Sequence, residues 1–316
     1  MPDQIVVSNS SIQTFKQCRR KFWLEHYRKL RPKLRETTGA LALGSRIHKA
    51  LELYYGEIGD GVPSADVDLM KIWSDLCEED RFILLSEFID TTTFDNEAEL
   101  GRIMLEGYLE WLEDEGIDSD LEILSQEETL EAEFLSGRVK VVGKIDQRVK
   151  RRSDNARLIR DFKTSANFGD LYKTIQMNEQ FILYMVLEML KKDEDDRVAG
   201  AIVTALKKNK RTAAARPPFY EQIEVGHNIF ELRNFYKRLQ GELQQIVQMW
   251  DALEEGQDHQ VVAYPTPTRD CSWKCSFAAV CPMFDDGSDV ERALSDQFEA
   301  RSPFEYYGDS DPLKEA

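Results

Sequence analysis

Residues 139–163 read VKVVGKIDQRVKRRSDNARLIRDFK, and this stretch decides the fold. Apolar and polar residues alternate over 139–149 and again over 157–162, which is typical of strands because successive side chains point to opposite faces. The polar residues 152–155 between the two runs predict a turn. Together with a shorter alternating run at 130–134, the pattern predicts three consecutive antiparallel strands.

Outward from these strands the chain is mainly helical. Apolar residues recur at helical spacing in several long segments, and two further apolar runs are short enough for strands. The predicted helices cover 10–29, 41–55, 171–191 and 227–253, and the further strands cover 198–206 and 219–225. Amphipathic segments between about 60 and 125 predict a helical insertion in front of the strands. This order favours an α/β fold with a central mixed sheet flanked by helices.

Charge is distributed unevenly along the 316 residues, whose formal net charge is −17. Nine Lys or Arg and one acid fall within 16–35, which leaves −25 for the rest of the chain. Smaller basic clusters lie at 140–152 and 207–211. Such clusters are either ordinary solvated surfaces or a local track for phosphates on an otherwise repulsive protein.

The apolar runs are too short to cross a bilayer, and the first residues do not resemble a secretory signal. We therefore expect no membrane span and a cytoplasmic protein.

Two aspartates and a lysine form the sharpest chemical pattern. Asp161 and Lys163 are two apart on one predicted strand, so both side chains project to one face, and a neighbouring strand can bring Asp146 beside them. Two carboxylates with a lysine suit Mg²⁺ or Mn²⁺ and the hydrolysis of a phosphodiester. The plainer alternative is a cross-strand salt bridge.

Three more residues fit the same site. Gln180 and Tyr184 are four apart on the helix that follows and so share a face. His48 lies in the middle of the second predicted helix. Alone, each is more often an ordinary helix-surface or core residue, but together they reinforce one another.

Four cysteines give an independent signal. Cys271, Cys275 and Cys281 lie close together near the C-terminus, and Cys18 lies on the basic first helix. In a cytosolic chain such a set is more often a metal site than a pair of disulfides, and four thiolates suit either Zn²⁺ or an iron–sulfur cluster. Cys77 falls outside this set.

The motifs occur in the order found in RecB-like nucleases of the PD-(D/E)XK superfamily, which this chain resembles from Ser10 to Cys281. The motifs are Gly44-x-x-x-His48-x-x-Leu51-Glu52, Gly143-x-x-Asp146, Asp161-x-Lys163 and Gln180-x-x-x-Tyr184. The resemblance implies a restriction-endonuclease-like fold. It also implies that the metal ligands are His48, Asp146, Asp161 and the carbonyl of Phe162. Lys163 would then serve the attacking water and the developing charge, while Gln180 and Tyr184 would position lysine and substrate.

The cysteine arrangement resembles the iron–sulfur subgroup of these enzymes, which includes AddB-type helicase–nucleases and CRISPR-associated single-strand exonucleases. The resemblance implies a 4Fe–4S cluster that joins segments 10–30 and 268–284, with Zn²⁺ as the alternative. This chain departs from the subgroup in having three residues, not two, between Cys271 and Cys275. We expect one nuclease domain over 1–284, with the helical insertion at about 60–125, and a partly disordered acidic tail over 285–316.

The expected function is that of a Mg²⁺- or Mn²⁺-dependent deoxyribonuclease, an exonuclease on single-stranded or end-containing DNA, as in recombination and repair. The alternative is a DNA-binding or adaptor subunit of a larger complex that cleaves little, although the intact Asp146, Asp161 and Lys163 speak against it. An iron–sulfur electron carrier fits the bulky α/β core poorly. Protein partners cannot be read from the sequence.

Overall fold

The computed structural model describes residues 4–34, 37–191 and 198–313. The strands are β1 (Ile5–Ser8), β2 (Leu30–Pro32), β3 (Leu121–Phe134), β4 (Val139–Arg151), β5 (Arg157–Ser165), β6 (Gly200–Lys207), β7 (Tyr220–Val225) and β8 (Phe298–Ala300). The α-helices are α1 (Asn9–Gln17), α2 (Arg19–Phe22), α3 (Ala40–Gly59), α4 (Leu69–Ser86), α5 (Thr92–Glu115), α6 (Phe168–Thr174), α7 (Glu179–Leu190), α8 (Ile229–Glu254), α9 (His259–Val262), α10 (Cys271–Lys274) and α11 (Val290–Gln297).

The described residues fall into two compact units. The first unit comprises those within Met1–Arg35, Thr129–Gly143 and Phe230–Ala316, and the second those within Glu36–Glu128 and Lys144–Ile229. The chain passes from one unit to the other within β3 and within β4. Units assembled from separate stretches of chain do not by themselves define domains, so the single domain over 1–284 stays a prediction.

The second unit contains a mixed sheet. In it β4 pairs antiparallel with β5, β5 pairs parallel with β6, and β6 pairs antiparallel with β7. The parallel pair is possible because α6 and α7 supply the long crossover that two parallel strands need. The predicted α/β class with a mixed sheet flanked by helices is confirmed, and it fits a restriction-endonuclease-like fold.

Strand β5 separates two chemical environments through the alternation of its side chains. On one face, Phe162 stacks on Tyr55 of α3 with ring centroids 5.6 Å apart. On that face Arg160, which is 1% exposed, lies 3.1 Å from the Tyr108 hydroxyl of α5. Apolar residues of α3, α4 and α5 complete this core. Asp161 and Lys163 consequently project to the opposite face.

Helices α4 and α5 occupy the region predicted as a helical insertion. They pack through Trp73 of α4, whose indole nitrogen donates to the carbonyl of Ala98 on α5 at 3.1 Å. The strand that follows them begins at Leu121, earlier than the alternating run at 130–134 indicated.

In the first unit β1 pairs in parallel with the beginning of β4. Ser8 caps α1: its hydroxyl accepts from the Ser11 backbone, and the Ser11 hydroxyl in turn lies 2.6 Å from the Ser8 nitrogen. Val6 and Val142 pack with Phe304 and Tyr307 in a small apolar cluster.

The predicted helix over 10–29 is wrong as one element. It is interrupted at Cys18, whose φ of −158° and ψ of 112° are extended. The Cys18 nitrogen still donates to Thr14 at 2.8 Å, and its carbonyl still accepts from Phe22 at 3.1 Å. Because backbone hydrogen bonds continue on both sides of the break, the apolar spacing does not reveal it. The helix predicted over 171–191 is likewise divided, since Asn178 caps the start of α7.

The acidic segment after residue 284, expected to be partly disordered, contains regular elements within its described residues. They are α11, β8, which pairs antiparallel with β2, and a short 3-10 helix at Glu305–Ser310. Phe304 and Tyr307 are 1% and 4% exposed. These few, widely spaced apolar anchors produce no periodicity that the sequence could reveal.

Among the described residues, no helix combines the length and the apolar character that crossing a membrane requires.

Two helix glycines give opposite expectations for replacement by alanine. At Gly101 on α5 a Cβ would overlap the Trp73 ring, whereas at Gly241 on α8 it would meet nothing within 4 Å. We expect Gly101→Ala to lower the free energy of unfolding by about 1–3 kcal/mol through overpacking. Gly241→Ala should raise it by up to about 1 kcal/mol through helix propensity. Denaturant unfolding measures both, and equal effects would contradict the packing of α4 against α5.

Candidate active site

The candidate active site lies in the second unit, where β4 and β5 end their pairing. Gln147 of β4 is registered opposite Arg160 of β5, so Asp146 and Asp161 follow as neighbours across the strands. The Asp146 carboxylate then accepts a hydrogen bond from the Phe162 nitrogen at 2.8 Å. The structure thus brings the two predicted carboxylates together.

Lys163 reaches Asp161 from two residues along β5. Its Nζ lies 2.8 Å and 3.1 Å from the two carboxylate oxygens of Asp161. It also donates to Oε1 of Gln180 on α7 at 3.0 Å. The lysine is therefore held between a strand and a helix, and the salt-bridge alternative describes only part of its surroundings.

Gln180 and Tyr184 form a short chain of hydrogen bonds along α7. The Gln180 amide nitrogen donates to the Tyr184 hydroxyl at 2.9 Å, and that hydroxyl donates to the Lys144 carbonyl of β4 at 2.8 Å. Asn178 caps the helix by accepting from the Gln180 nitrogen at 3.0 Å. Gln180, whose side-chain amide contacts Lys163, is thus held both at its backbone nitrogen and at the end of its side chain.

His48 approaches from the middle of α3. Its Nδ1 lies 3.4 Å from the Asp146 carboxylate. One turn earlier, a Cβ at Gly44 would come within 3.0 Å of the Thr164 hydroxyl of β5. The glycine therefore permits the close approach of helix and strand that brings the histidine to the site.

The exposed fractions of the side chains show from which side the site is open to solvent. The Asp161 side chain is 3% exposed, whereas those of Lys163 and His48 are 28% and 33% exposed. A ligand can therefore reach the cluster from the side of His48 and Lys163, whereas Asp161 lies deepest in the site, away from solvent.

The site combines like and unlike charges. Burial raises the pKa of Asp161, and the neighbouring Asp146 acts in the same direction. For Asp146 burial is outweighed by the hydrogen bond and charge of His48, so its pKa is lowered. The pKa of His48 is raised, because the hydrogen bond and charge of Asp146 outweigh burial. A cation bound between the two carboxylates would favour their ionised forms and so lower the pKa of Asp161 again.

The donor set fits a hard divalent cation. One buried oxygen of Asp161, Oδ2, makes no hydrogen bond of proper geometry despite its nearness to Lys163. Among the described residues, no three His, Cys, Asp or Glu side chains are grouped closely enough to hold a metal by themselves. Mg²⁺ commonly binds through one or two carboxylates and completes its octahedron with water and phosphate oxygens. Asp146 and Asp161 meet that smaller requirement.

The four candidate cysteines all belong to the first unit as free, half-buried thiols. Arg20 donates to the Cys281 carbonyl at 3.1 Å and lies 3.7 Å from its sulfur. Burial raises the pKa of Cys275, and the negative charge of Cys18 adds to this, so those two thiols lie within electrostatic reach. Within the described part of the chain they do not form a closed ligand set. The expected iron–sulfur or zinc site is therefore not supported by the arrangement of the thiols.

Cys77 lies apart on α4 in the second unit, where burial raises its pKa to about 11.

Four of the eight described cations of the basic segment 16–35 pair with acids of their own unit; Arg35 lies outside the described residues. Arg20 is 1% exposed and forms paired hydrogen bonds with Asp285 at 3.0 and 3.1 Å. Lys16 pairs with Glu242, Lys21 with Glu25 and Arg28 with Glu291. These pairs weaken the expectation that the first helix is a phosphate track.

Sequence reasoning missed a buried ion-pair network beside the site. Arg148, two residues beyond Asp146 on the same face of β4, lies 2.5 Å from Glu188 of α7, and both side chains are at most 3% exposed. Glu128 and Lys191 extend the network. The signal was present, because Glu188 follows Tyr184 by four residues and so lies on the helix face of Gln180.

Comparison with known proteins gives one family. The family model described as the PD-(D/E)XK nuclease superfamily matches residues 6–282. No curated protein matches the chain. The crystal structure of SSO0001 is similar over 89% of this chain and 88% of that chain, at 13% identity and a TM-score of 0.41.

Removing Glu188 should show what holds α7 against β4. We expect Glu188→Ala to lower the free energy of unfolding by about 3 kcal/mol, because it breaks a buried ion pair. Lys191→Ala is the control and should cost less than about 1 kcal/mol, since its ammonium remains partly in solvent. Chemical denaturation measures both, and equal costs would rule out a special role for the buried pair.

Proposed function

This chain belongs to the PD-(D/E)XK nuclease superfamily, and from that premise we propose that it is a metal-dependent deoxyribonuclease of the RecB-like type. The observation that carries the proposal is the meeting of Asp146, Asp161 and Lys163 where β4 and β5 separate. Lys163 contacts Gln180, and His48 contacts Asp146, so the four motifs of the resemblance converge in one unit.

The residues that we propose as ligands of Mg²⁺ or Mn²⁺ are His48, Asp146, Asp161 and the carbonyl of Phe162. Water and phosphate oxygens would complete the coordination, because the three side chains among the described residues do not enclose a cation by themselves. The support for this assignment is that the carboxylates of Asp146 and Asp161 lie on neighbouring strands, where Asp146 accepts from the Phe162 nitrogen and contacts His48. A divalent cation bound there would polarise the scissile phosphate and favour ionisation of the attacking water. The protein's part is to hold two anionic ligands close together and to leave the exposed side open for phosphate.

Lys163 would act as a hydrogen-bond donor to the reacting phosphate. An ammonium group has three donors, and Asp161 and Gln180 together account for two of them. The third donor remains for a phosphate oxygen or the attacking water, where positive charge lowers the barrier as negative charge develops. Gln180 and Tyr184 would keep the lysine in this orientation and so act as positioning residues.

The finer substrate assignment rests on the order of the motifs. The resemblance to RecB-like nucleases with this order implies an exonuclease that acts on single-stranded or end-containing DNA, in recombination or repair. The adaptor alternative is less well supported, because Asp146, Asp161 and Lys163 are all present. Lys163 contacts Asp161, and Asp146 accepts a hydrogen bond from the adjacent Phe162 nitrogen.

We also propose that Cys18, Cys271, Cys275 and Cys281 bind an iron–sulfur cluster, with zinc as the alternative. The support is that all four are free thiols of one unit and that two of them interact electrostatically. Their arrangement does not form a ligand set among the described residues, so we assign the cluster no part in the chemistry.

Asp161→Ala and Lys163→Ala test the active site. Each should reduce Mg²⁺- or Mn²⁺-dependent cleavage of end-labelled single-stranded DNA at least about 100-fold, because each removes charge from the reacting centre. Replacing the exposed Asp75 of α4 with alanine is the matched control and should leave cleavage unchanged. Full cleavage by Asp161→Ala would exclude this site, and no cleavage by the native protein would favour the adaptor alternative.

Cys275→Ala tests the second metal site in anaerobically purified protein. We expect loss of the brown charge-transfer absorbance and lower thermal stability, because metal binding contributes to folding. Cys77→Ala should keep both the colour and the stability. Colourless native protein with stoichiometric zinc would show that the site binds zinc and not an iron–sulfur cluster. Native protein without either metal would overturn the assignment.

A further inference from the structure

Residues 207–219, which comprise the last residue of β6 and the loop that leads to β7, carry an unusual concentration of positive charge. It contains five cations and no acid in a chain whose net charge is −17. The cations are Lys207, Lys208, Lys210, Arg211 and Arg216. We call these residues the basic loop.

None of the five cations forms an ion pair with a described residue. Lys208 donates to the Ala40 carbonyl at 2.7 Å, and Arg211 donates to the Tyr220 hydroxyl at 2.8 Å. Lys210 and Arg216 are exposed. In segment 16–35, by comparison, four of the eight described cations pair with described acids. Glu97 lies within electrostatic reach of Lys208, and Glu99 of Lys210, but neither acid forms an ion pair with its cation, so the basic loop remains available to an external anion.

The basic loop begins at the end of the sheet that carries the catalytic lysine. Lys207 is registered opposite Ser165, two residues beyond Lys163, and the Lys208 nitrogen donates to the Ser165 carbonyl at 2.8 Å. Through Ala40 the ammonium of Lys208 is also fixed to the first turn of α3, the helix that carries His48. The loop is thus anchored to two elements of the candidate active site.

Aromatic contacts hold part of the loop in place. The guanidinium of Arg211 lies 4.6 Å from the centre of the Phe219 ring, and Nζ of Lys207 lies 5.9 Å from it. Fixed cations lose less conformational entropy when an anion binds them.

We propose that the basic loop binds the phosphates of the substrate DNA strand next to the scissile bond. This inference rests on the proposed function, which makes a phosphodiester the reacting group beside Lys163. Several cations spread along an exposed loop suit a chain of phosphates better than a single small anion, because each contact releases its own counterions. Lys208, nearest the site, would contact the phosphate nearest the cut, and Lys210 and Arg216 would contact more distant ones.

The test measures binding apart from cleavage. Fluorescence anisotropy follows a fluorescein-labelled oligothymidine, with the full chain in EDTA, over a series of salt concentrations. Lys210→Ala combined with Arg216→Ala should weaken binding about tenfold and reduce the slope of log Kd against log salt by about 1.4, or about 0.7 per lost contact to a single strand. The matched control combines Lys71→Ala with Arg233→Ala, which removes the same charge from exposed positions outside the loop and outside the other basic clusters. It should bind as the native protein does.

The outcomes separate this inference from the proposed function. Asp161→Ala should bind with the native salt slope although it does not cleave. Weakened binding by the loop variant alone supports the inference even if no metal-dependent cleavage is found. Equal binding by the loop variant and its control overturns it, even if cleavage depends on Asp161 as proposed, and so does a native protein that binds no oligonucleotide.

Discussion

The meeting of Asp146 with the buried Asp161 is the interaction on which the site depends. Two carboxylates on neighbouring strands repel each other, and burial removes the water that would screen them. Lys163 lies 2.8 Å from one and His48 lies 3.4 Å from the other, so positive charge reaches the pair from a strand and from a helix. This compensation is incomplete at Asp161, because burial still raises its pKa, and a divalent cation between the two carboxylates would favour their ionised forms.

The alternation of side chains along strand β5 determines which residues lie in the site. Arg160 and Phe162 anchor one face of the strand against α3 and α5, which forces Asp161 and Lys163 to the other face. A slip of one residue would exchange the two faces, so the buried arginine and phenylalanine fix the register of the candidate active site. On the second face α7 is tied to β4 at two levels, by Tyr184 at the Lys144 carbonyl and by Glu188 at Arg148.

The sequence predicted most of this second unit, because period-two alternation fixes the faces of β4 and β5 and helical spacing puts Gln180 beside Tyr184. Other features left no periodic signal. The break at Cys18 keeps its backbone hydrogen bonds, and the tail beyond residue 284 is held by a few separated apolar residues. Three ion pairs of segment 16–35, those of Lys16, Arg20 and Arg28, join residues more than 200 positions apart, and so only the folded chain reveals them. The cysteine spacing suggested a cluster, but the described thiols do not form a ligand set.

The central claim is that Asp146 and Asp161 together bind a divalent cation, and the most direct measurement is anomalous diffraction from crystals grown with Mn²⁺. The account predicts a manganese peak between the two carboxylates, at about 2.1 Å from an oxygen of each. A well-ordered crystal with no anomalous peak there, or with manganese bound only at other groups, would contradict it.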